Sequence, residues 1–451
     1  MIWLLALACN SDEPSTDKGD GNNSEEAATG PTWHGDVAPI VADRCAGCHT
    51  AGGPAFDLTD PAVATAMASA MASAVAAGRM PPWGAQETDD CTPIRGWVGD
   101  RRLSEEQETT LAAWAAAGAP LGDPATAAPL DLAEADTLLG DVSDHAALGS
   151  YTTRGAADEL VCLVVDPEAV TDLWVDGVEI VPSNRAIAHH TLVLLDPDGV
   201  SEGLMNEAGW YDCGGSGGID NPSLLGTWVP GSGPTYAPDG AGIRIPAGSR
   251  IVLQMHYHAG GAIGEEDLPT LRLRHLPGPT ERQFYSTLLG NFENEGDGLM
   301  PGPNDRGEAE FYIPANVADH YEEQRITFPD ETPDLPIPMV GAHMHLVATS
   351  MKAWLERANP TGDEPATECI LPASRYDYDW QQLYRFEGSL DEAPRLSGGD
   401  TLVIRCDYDN TLDNPGVARA LEDAGLDAPV DVYLGEGTLD EMCIGIFSYV
   451  F

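Results

Sequence analysis

Basic residues are scarce in this chain of 451 residues, in which 22 lysines and arginines stand against 73 aspartates and glutamates. The formal net charge is −51, and a surface of this sign repels polyanions. This argument excludes nucleic acid as a partner, and also direct adsorption to an anionic membrane. We interpret the acidity as the solubilising surface of an exported or salt-adapted protein. Attraction of one cationic partner is the alternative.

The sequence also lacks an apolar run long enough to span a bilayer. Its apolar start, residues 1–8, is far shorter than the roughly 20 residues of a transmembrane helix. This start resembles the end of a bacterial lipoprotein signal, with Cys9 as the lipidated residue, although no basic residue precedes it. An ordinary apolar start is the alternative.

Residues 10–30 are polar and too poor in apolar side chains to fold. Residues 1–30 are therefore predicted to be a signal remnant followed by a disordered acidic tether. On this interpretation the protein is periplasmic or on the cell surface of a Gram-negative bacterium. It would touch the membrane only through the lipid on Cys9.

Length and composition favour several β-rich domains. The chain is too long for one ordinary core, and 49 glycines and 35 prolines indicate many turns. From about residue 150 onward, short apolar runs alternate with Gly, Pro and Asp turns, a pattern typical of antiparallel β-sandwiches. Two such domains fit the remaining length.

The stretch Cys45-Ala-Gly-Cys48-His49 is the attachment motif typical of a c-type haem. Its two thiols form thioether bonds with the haem vinyl groups, and the adjacent histidine ligates the iron. Zinc binding and thiol redox chemistry are the alternatives. The sequence lacks the second CxxC pair or the βαβ context that these would need.

Helical patterns surround the motif, and a methionine, Met80, follows it in a Pro-rich loop. This order resembles a class I cytochrome c over residues 31–122, and the resemblance implies Met80 as the distal iron ligand. Residues 123–148 are rich in Ala, Asp and Pro and are predicted to be a linker. The three predicted helical stretches are 37–43, 60–78 and 103–120.

Six cysteines remain after Cys9 and the two cysteines of the motif are assigned. An even remainder in an exported chain predicts disulfides, but the sequence does not fix how six cysteines pair. They are Cys91, Cys162, Cys213, Cys369, Cys406 and Cys443.

Histidines concentrate in three apolar, strand-like runs, and a fourth run contains a methionine. Imidazole suits copper and zinc, whereas a thioether selects copper, so the pattern favours a copper protein. Single histidine pairs are often structural, which is the alternative for each run taken alone. The runs contain His189 with His190, His256 with His258, His343 with His345, and Met442.

The two histidine pairs differ in spacing. His343 and His345 share one face of a regular strand, because side chains alternate with a period of two. His189 and His190 point to opposite faces of a regular strand. Both can bind one ion only if the strand bulges or ends there.

The order HH … QxHY … HxH … DEMC resembles the copper type II, ascorbate-dependent monooxygenases, which include peptidylglycine α-hydroxylating and dopamine β-monooxygenases. The resemblance implies two jelly-roll-like β-sandwich domains, 149–290 and 291–451, with one copper ion each. It also implies a disulfide between Cys406 and Cys443. The implied ligands are His189, His190 and His256 for the first copper and His343, His345 and Met442 for the second.

The resemblance implies that O₂ reacts at the second copper, where a C–H bond of a small molecule is hydroxylated. One electron comes from the first copper, and the haem domain relays electrons from a periplasmic donor or an ascorbate-like reductant. Gly341, Ile444 and Ile446 stand where peptidylglycine enzymes have Arg, Asn and Tyr. A neutral or apolar substrate is therefore expected rather than a peptide carboxylate.

Two other functions remain open at this point. The chain could be a non-catalytic copper and haem electron-transfer lipoprotein on the same scaffold. It could also be a surface-anchored structural or adhesion protein with the haem as an appendage.

Overall fold

The computed structural model describes residues 30–451, except 52–54, 128–136, 157, 214–216, 220–221, 259, 292–297, 306, 363, 436 and 438. The predicted tether with Cys9 and the centre of the predicted linker lie outside these residues. Within the part of the chain that is described, no helix is long and apolar enough to cross a membrane.

Helices form where the sequence carries their start signals. Asp60 accepts a hydrogen bond from the first turn of the second helix, which has Pro61 at its first position. Ser104 and Gln107 form a reciprocal capping box at the third helix. The helices pack around Trp33 and other buried apolar residues. They are α1 (Ala38–Arg44), α2 (Pro61–Ala76) and α3 (Glu105–Ala116), preceded by a π-helical turn, Trp33–Val37.

The segment between α2 and α3 packs into the β-structure. Trp83 and Trp97 belong to one apolar core together with Tyr384 and Phe386. The ring of Trp97 stacks on that of Phe386 at a centroid distance of 4.6 Å. This segment is therefore built into the second sandwich, although the sequence places it within residues 31–122.

The first sandwich contains the strands of the chain from residue 142 to residue 290. Its apolar core lies between two layers of strands. The strands are β1 (Val142–Ala146), β2 (Tyr151–Arg154), β3 (Asp158–Val165), β4 (Leu173–Val181), β5 (Ala188–Asp196), β6 (Trp210–Asp212), β7 (Ser223–Trp228), β8 (Thr235–Tyr236), β9 (Ala241–Ile245), β10 (Arg250–His258), β11 (Ile263–Asp267), β12 (Thr270–His275) and β13 (Arg282–Gly290).

The second sandwich contains the remaining strands and one further helix, α4 (Pro415–Ala424). Gly425 ends α4 in the left-handed conformation, at a φ of 68°, which glycine adopts without strain. The strands are β14 (Leu299–Met300), β15 (Tyr312–Ile313), β16 (His320–Thr327), β17 (Leu335–Pro336), β18 (Met339–His343), β19 (Ala348–Glu356), β20 (Thr367–Ala373), β21 (Leu383–Arg385), β22 (Arg395–Leu396), β23 (Thr401–Tyr408), β24 (Val432–Tyr433) and β25 (Ile444–Val450).

One continuous sheet joins the two sandwiches. Its strands follow the order β6-β3-β10-β5-β7-β13-β25-β18-β21. The C-terminal strand β25 makes the junction, because it pairs with β13 of the first sandwich and with β18 of the second. The strands β1-β12-β4-β9 continue this sheet through the parallel pairing of β9 with β13, and β14-β16-β23-β19-β20 form a separate sheet. The prediction of an all-β, sandwich-like architecture for this part of the chain is confirmed.

The six remaining cysteines form three disulfides, as the even count predicts. The Cys406–Cys443 pair implied by the resemblance is confirmed. The other pairs are Cys91–Cys369 and Cys162–Cys213. Because disulfides persist in oxidising compartments, they support an extracytoplasmic location.

Candidate metal centre

A β-bulge brings two adjacent histidines to the same side of the sheet. On β5 and β10, His190 pairs with His256, but the next pair joins Ala188 to Tyr257. His189 is therefore the extra residue of the bulge, and its side chain turns toward that of His190. This bulge is the irregularity that adjacent histidines need if both are to bind one ion.

The three imidazoles of this cluster converge through their Nδ1 atoms. His189 Nδ1 lies 3.2 Å from Nδ1 of His190 and 3.2 Å from Nδ1 of His256. The third side of the triangle, His190 to His256, is 3.4 Å. Metal–imidazole bonds of about 2.0–2.1 Å at tetrahedral angles place nitrogens roughly 3.3 Å apart. The triangle therefore has the dimensions of a three-nitrogen metal site.

Burial keeps His190 neutral. His190 is almost completely buried, and burial lowers its pKa well below 6.5, with further lowering from neighbouring His256 and His189. Neutral imidazole is the form that binds a metal ion. In the part of the chain that the structure describes, these three histidines form a group of side chains whose nitrogen atoms are close enough together to hold one metal ion.

A carboxylate fixes the orientation of His189. Asp379 Oδ1 lies 3.0 Å from His189 Nε2, and Arg419 on α4 donates to the same oxygen at 2.9 Å. Burial opposes ionisation of Asp379, but the hydrogen bonds from His189 and Arg419 lower its pKa to about 2. The ionised carboxylate accepts a hydrogen bond from Nε2–H, and in this neutral tautomer Nδ1 of His189 presents its lone pair toward the other two histidines.

The second cluster begins at the end of β18. The rings of His343 and His345 lie 5.6 Å apart and perpendicular to each other. His343 Nδ1 is 2.5 Å from Gln381 Oε1, and His345 Nδ1 is 3.0 Å from the carbonyl oxygen of Asp440. Both contacts occupy Nδ1, so Nε2 is the nitrogen that would bind a metal. Burial and neighbouring His343 lower the pKa of His345 to about 3.

A buried glutamate holds the Met442 segment against this pair. The Glu441 carboxylate accepts hydrogen bonds from three backbone N–H groups, those of His345, Val347 (3.1 Å) and Met442 (2.8 Å). Tyr408 donates to the Met442 carbonyl at 3.0 Å. The sequence identifies Met442 but not Glu441, which joins both parts of the predicted ligand set.

One segment, residues 376–382, contacts both clusters, and we call it the bridging segment. It supplies Asp379 to His189 and Gln381 to His343. The ring of Tyr378 lies 5.8 Å from that of His256 and 6.3 Å from that of His345. The sequence reasoning missed this segment. Its signal is the density of aromatic and polar residues in YDYDWQQ.

The positions expected to shape the substrate site are apolar and tightly packed. A Cβ atom at Gly341 would lie 3.0 Å from Leu383 Cδ2 and 3.2 Å from the Gln382 carbonyl oxygen. A side chain at Gly341 would therefore require Leu383 or the backbone of Gln382 to shift by a few tenths of an ångström. Ile444 and Ile446 are almost completely buried.

The haem-attachment motif follows α1 directly. Cys45 and Cys48 are the described cysteines that are not in disulfides. Burial raises the pKa of Cys45 to about 12, which opposes thiolate chemistry. His49 Nδ1 lies 3.1 Å from the Phe56 carbonyl oxygen, so Nε2 is the nitrogen that would ligate iron. These groups fit covalent haem attachment.

Met80, the predicted distal ligand, follows α2 and is half-buried. The residues after it contact the second sandwich, where Gly84 N–H donates to Tyr384 Oη at 3.1 Å. His258, next to the first cluster, is exposed, with its ring 6.0 Å from that of His189.

No protein-family model matches the sequence, and no curated protein matches it. Among solved structures, the chain is similar to the major capsid protein P2 from bacteriophage PM2, at 7% identity and a TM-score of 0.25, over 68% of this chain and 96% of that one. It is also similar to PNGase F, a glycosylasparaginase from Flavobacterium meningosepticum, at 10% identity and a TM-score of 0.20, over 69% of this chain and 89% of that one. Likenesses of this strength carry no argument about function.

Proposed function

We propose that this protein is an exported haem c–dicopper monooxygenase that hydroxylates a C–H bond of a small, neutral or apolar molecule. The observation that carries the proposal is the convergence of His189, His190 and His256 on one point, with nitrogen separations of 3.2–3.4 Å. Nitrogens at these separations have the spacing of three ligands to a single metal ion. The HxH pair beside Met442 supplies the second ligand set.

The residues of the chain divide the work between the two sites. The first cluster offers three nitrogen ligands, and Asp379 holds one of them in the required tautomer. The second cluster offers two imidazoles and the Met442 thioether, a soft ligand that favours Cu(I). Copper at these sites would supply one-electron redox chemistry and the activation of O₂.

Substrate selection follows from the apolar residues around the second cluster. Gly341 presents no cationic side chain, and the side chains of Ile444 and Ile446 offer no hydrogen bonds. A carboxylate-bearing peptide would lose its hydration without gaining a partner, which is unfavourable. An apolar or neutral molecule pays no such penalty.

Metal and haem analysis of the purified protein tests the cofactor assignment. We expect two copper ions and one haem c per chain, by elemental analysis and a pyridine haemochrome assay. His256→Ala should remove one copper ion. A chain without copper would leave only the structural or adhesion interpretation.

Oxygen consumption tests the catalytic assignment. Reduced protein is offered a panel of neutral and apolar small molecules, and O₂ uptake is compared with product formation. Met442→Ala should abolish coupled uptake, whereas Met300→Ala, at a surface methionine, should not. Equal rates in wild type and Met442→Ala would contradict the assignment of the second cluster.

The position of Tyr378 favours one further candidate, electron transfer without a substrate. Its ring lies within 6.3 Å of rings from both clusters, so the two sites share a wall. Copper and haem without substrate-coupled O₂ uptake would support this candidate.

A further inference from the structure

The haem-attachment motif lies directly against a loop of the first sandwich, residues 229–233, which we call the docking loop. Cys48 Sγ is 3.9 Å from the carbonyl oxygen of Pro230. A Cβ atom added at Gly231, which has a φ of +78°, would lie 2.2 Å from Cys48 Sγ. Only a glycine therefore permits this approach.

Arg101, from the helical region, also contacts the docking loop. Arg101, three residues before the cap of α3, donates from Nη2 to the Gly231 carbonyl oxygen at 2.7 Å. In a chain with few basic residues, this guanidinium is placed beside the haem-binding thiol and on the docking loop. The two elements therefore meet at a defined contact.

The docking loop follows β7, the strand that pairs with β5, and β5 carries His189 and His190. It follows Trp228, the last residue of β7, and Trp228 pairs with Thr191 of β5. Thr191 is the residue after His190, and both Trp228 and Thr191 are buried. The connection from Cys48 to His190 thus consists of one non-bonded step, a short piece of backbone and one step across the sheet.

A second contact leads from the helical region toward the other cluster. The Gly84 N–H donates to Tyr384 Oη, and the Gly84 carbonyl oxygen accepts from the Arg375 N–H. The neighbouring Tyr376 donates to the carbonyl oxygen of Met344, which lies between His343 and His345 in the chain. This route starts four residues from Met80. The route through Cys48 starts at an atom bonded to the haem itself, so it has fewer intervening steps.

We propose that the docking loop and Arg101 form the contact through which the haem reduces the three-histidine copper. With both groups bound, reduced haem would give up one electron, Fe(II) becoming Fe(III), and copper held by the three histidines would accept it, Cu(II) becoming Cu(I), with no bond or proton transferred. The inference rests on the proposed function and names the copper site that receives electrons from the haem.

Electron transfer within the haem- and copper-loaded protein tests the inference without O₂ or substrate. The haem is reduced by a light-generated one-electron donor while both copper ions are Cu(II). Its reoxidation is followed by absorbance, and loss of the three-nitrogen Cu(II) signal by freeze-quench EPR. Failure of hydroxylation would not affect this measurement, so the two proposals can fail separately.

Gly231→Ala should slow haem reoxidation roughly tenfold or more, because displacing the partners by about 1 Å costs large factors in rate. The matched control is Gly240→Ala, since Gly240 has a φ of +80° but no atom within 4 Å of its Cβ position. Arg101→Met should slow the reaction without adding a clash. Hydrogen exchange of the backbone amides of residues 229–233 should increase in Gly231→Ala and stay unchanged in the control.

Removing each copper separately identifies the acceptor. His256→Ala should abolish the fast reoxidation, whereas Met442→Ala should retain it. Fast reoxidation in His256→Ala, or equal rates in Gly231→Ala and Gly240→Ala, would overturn the inference.

Discussion

The two histidine clusters lie on one continuous sheet but are assembled by different means. The ladder between β5 and β10 brings His190 and His256 together, and one bulge adds His189. The second cluster has one histidine at the end of β18, one just beyond it and a methionine about a hundred residues later. Side-chain and disulfide contacts hold that methionine in place.

This difference appears in the atoms that each cluster presents. The first directs Nδ1 atoms at one point, whereas the Nδ1 atoms of the second are engaged by Gln381 and a backbone carbonyl. A site made by paired strands is fixed by the backbone ladder. A site made by loops depends on each individual tie, so we expect it to be the more easily disrupted of the two.

The largest effect should come from removing the disulfide beneath Met442. Replacing Cys406 and Cys443 by alanine should cost about 2–4 kcal/mol in the free energy of unfolding. It should also release copper from the second cluster and leave copper in the first. Denaturant unfolding and copper analysis measure both effects. The control is the Cys91→Ala, Cys369→Ala variant, which should keep both copper ions, and loss of the first-site copper would contradict the comparison.

Single contacts from the bridging segment should separate the two sites. Asp379→Leu should weaken metal binding at the three-histidine site by about 10–100-fold, because a group that hydrogen-bonds a metal-binding histidine contributes on this scale. Gln381→Leu should act on the second site alone. Competitive copper titration with site-resolved EPR measures both affinities. If either variant weakened copper binding equally at both sites, the assignment of Asp379 to the first site and Gln381 to the second would be wrong.

Tyr378 is the position where one change should affect both sites together. Tyr378→Ala removes ring contacts worth about 0.5–1.5 kcal/mol, so both copper affinities should fall several-fold. Tyr378→Phe keeps the ring and should keep most of both affinities. The same titration decides this, and an effect confined to one site would separate the clusters that the structure joins.

A smaller, pH-dependent effect is expected where the segment before α3 is tied to the second sandwich. The hydrogen bonds of Lys352 and then Thr88 lower the pKa of Asp90 from 3.8 to about 2. Because the folded-state pKa is the lower one, this stabilisation is present above the unfolded pKa and is lost as the pH falls through about 2. Lys352→Met should therefore reduce stability by roughly 0.2–1 kcal/mol at neutral pH, since the pair is exposed. Unfolding measured along a pH series should show the difference from wild type shrinking with acid, and a constant difference would argue against the ion pair.

Much of the fold follows from local patterns in the sequence. The two helices that follow Cys45–His49 in the chain follow from their caps, and the β-sandwiches from short apolar runs between turns. The junction through β25 has no local signal, because strand pairing over 150 residues depends on the whole fold. The same holds for Trp83 and Trp97, whose core partners lie in the second sandwich.

For the candidate site, the sequence by itself determined which residue types are available and in what order: two histidine pairs, a further histidine and a methionine beside a cysteine. It did not determine how His343 and His345 lie, because the period of two applies only within a strand and β18 ends at His343. Only the tertiary structure decided that His189 bulges out to meet His190 and His256. It also decided that Asp379, Gln381 and Glu441 orient the ligands. These partners come from loops, where no periodicity relates a residue's position in the chain to its position in space.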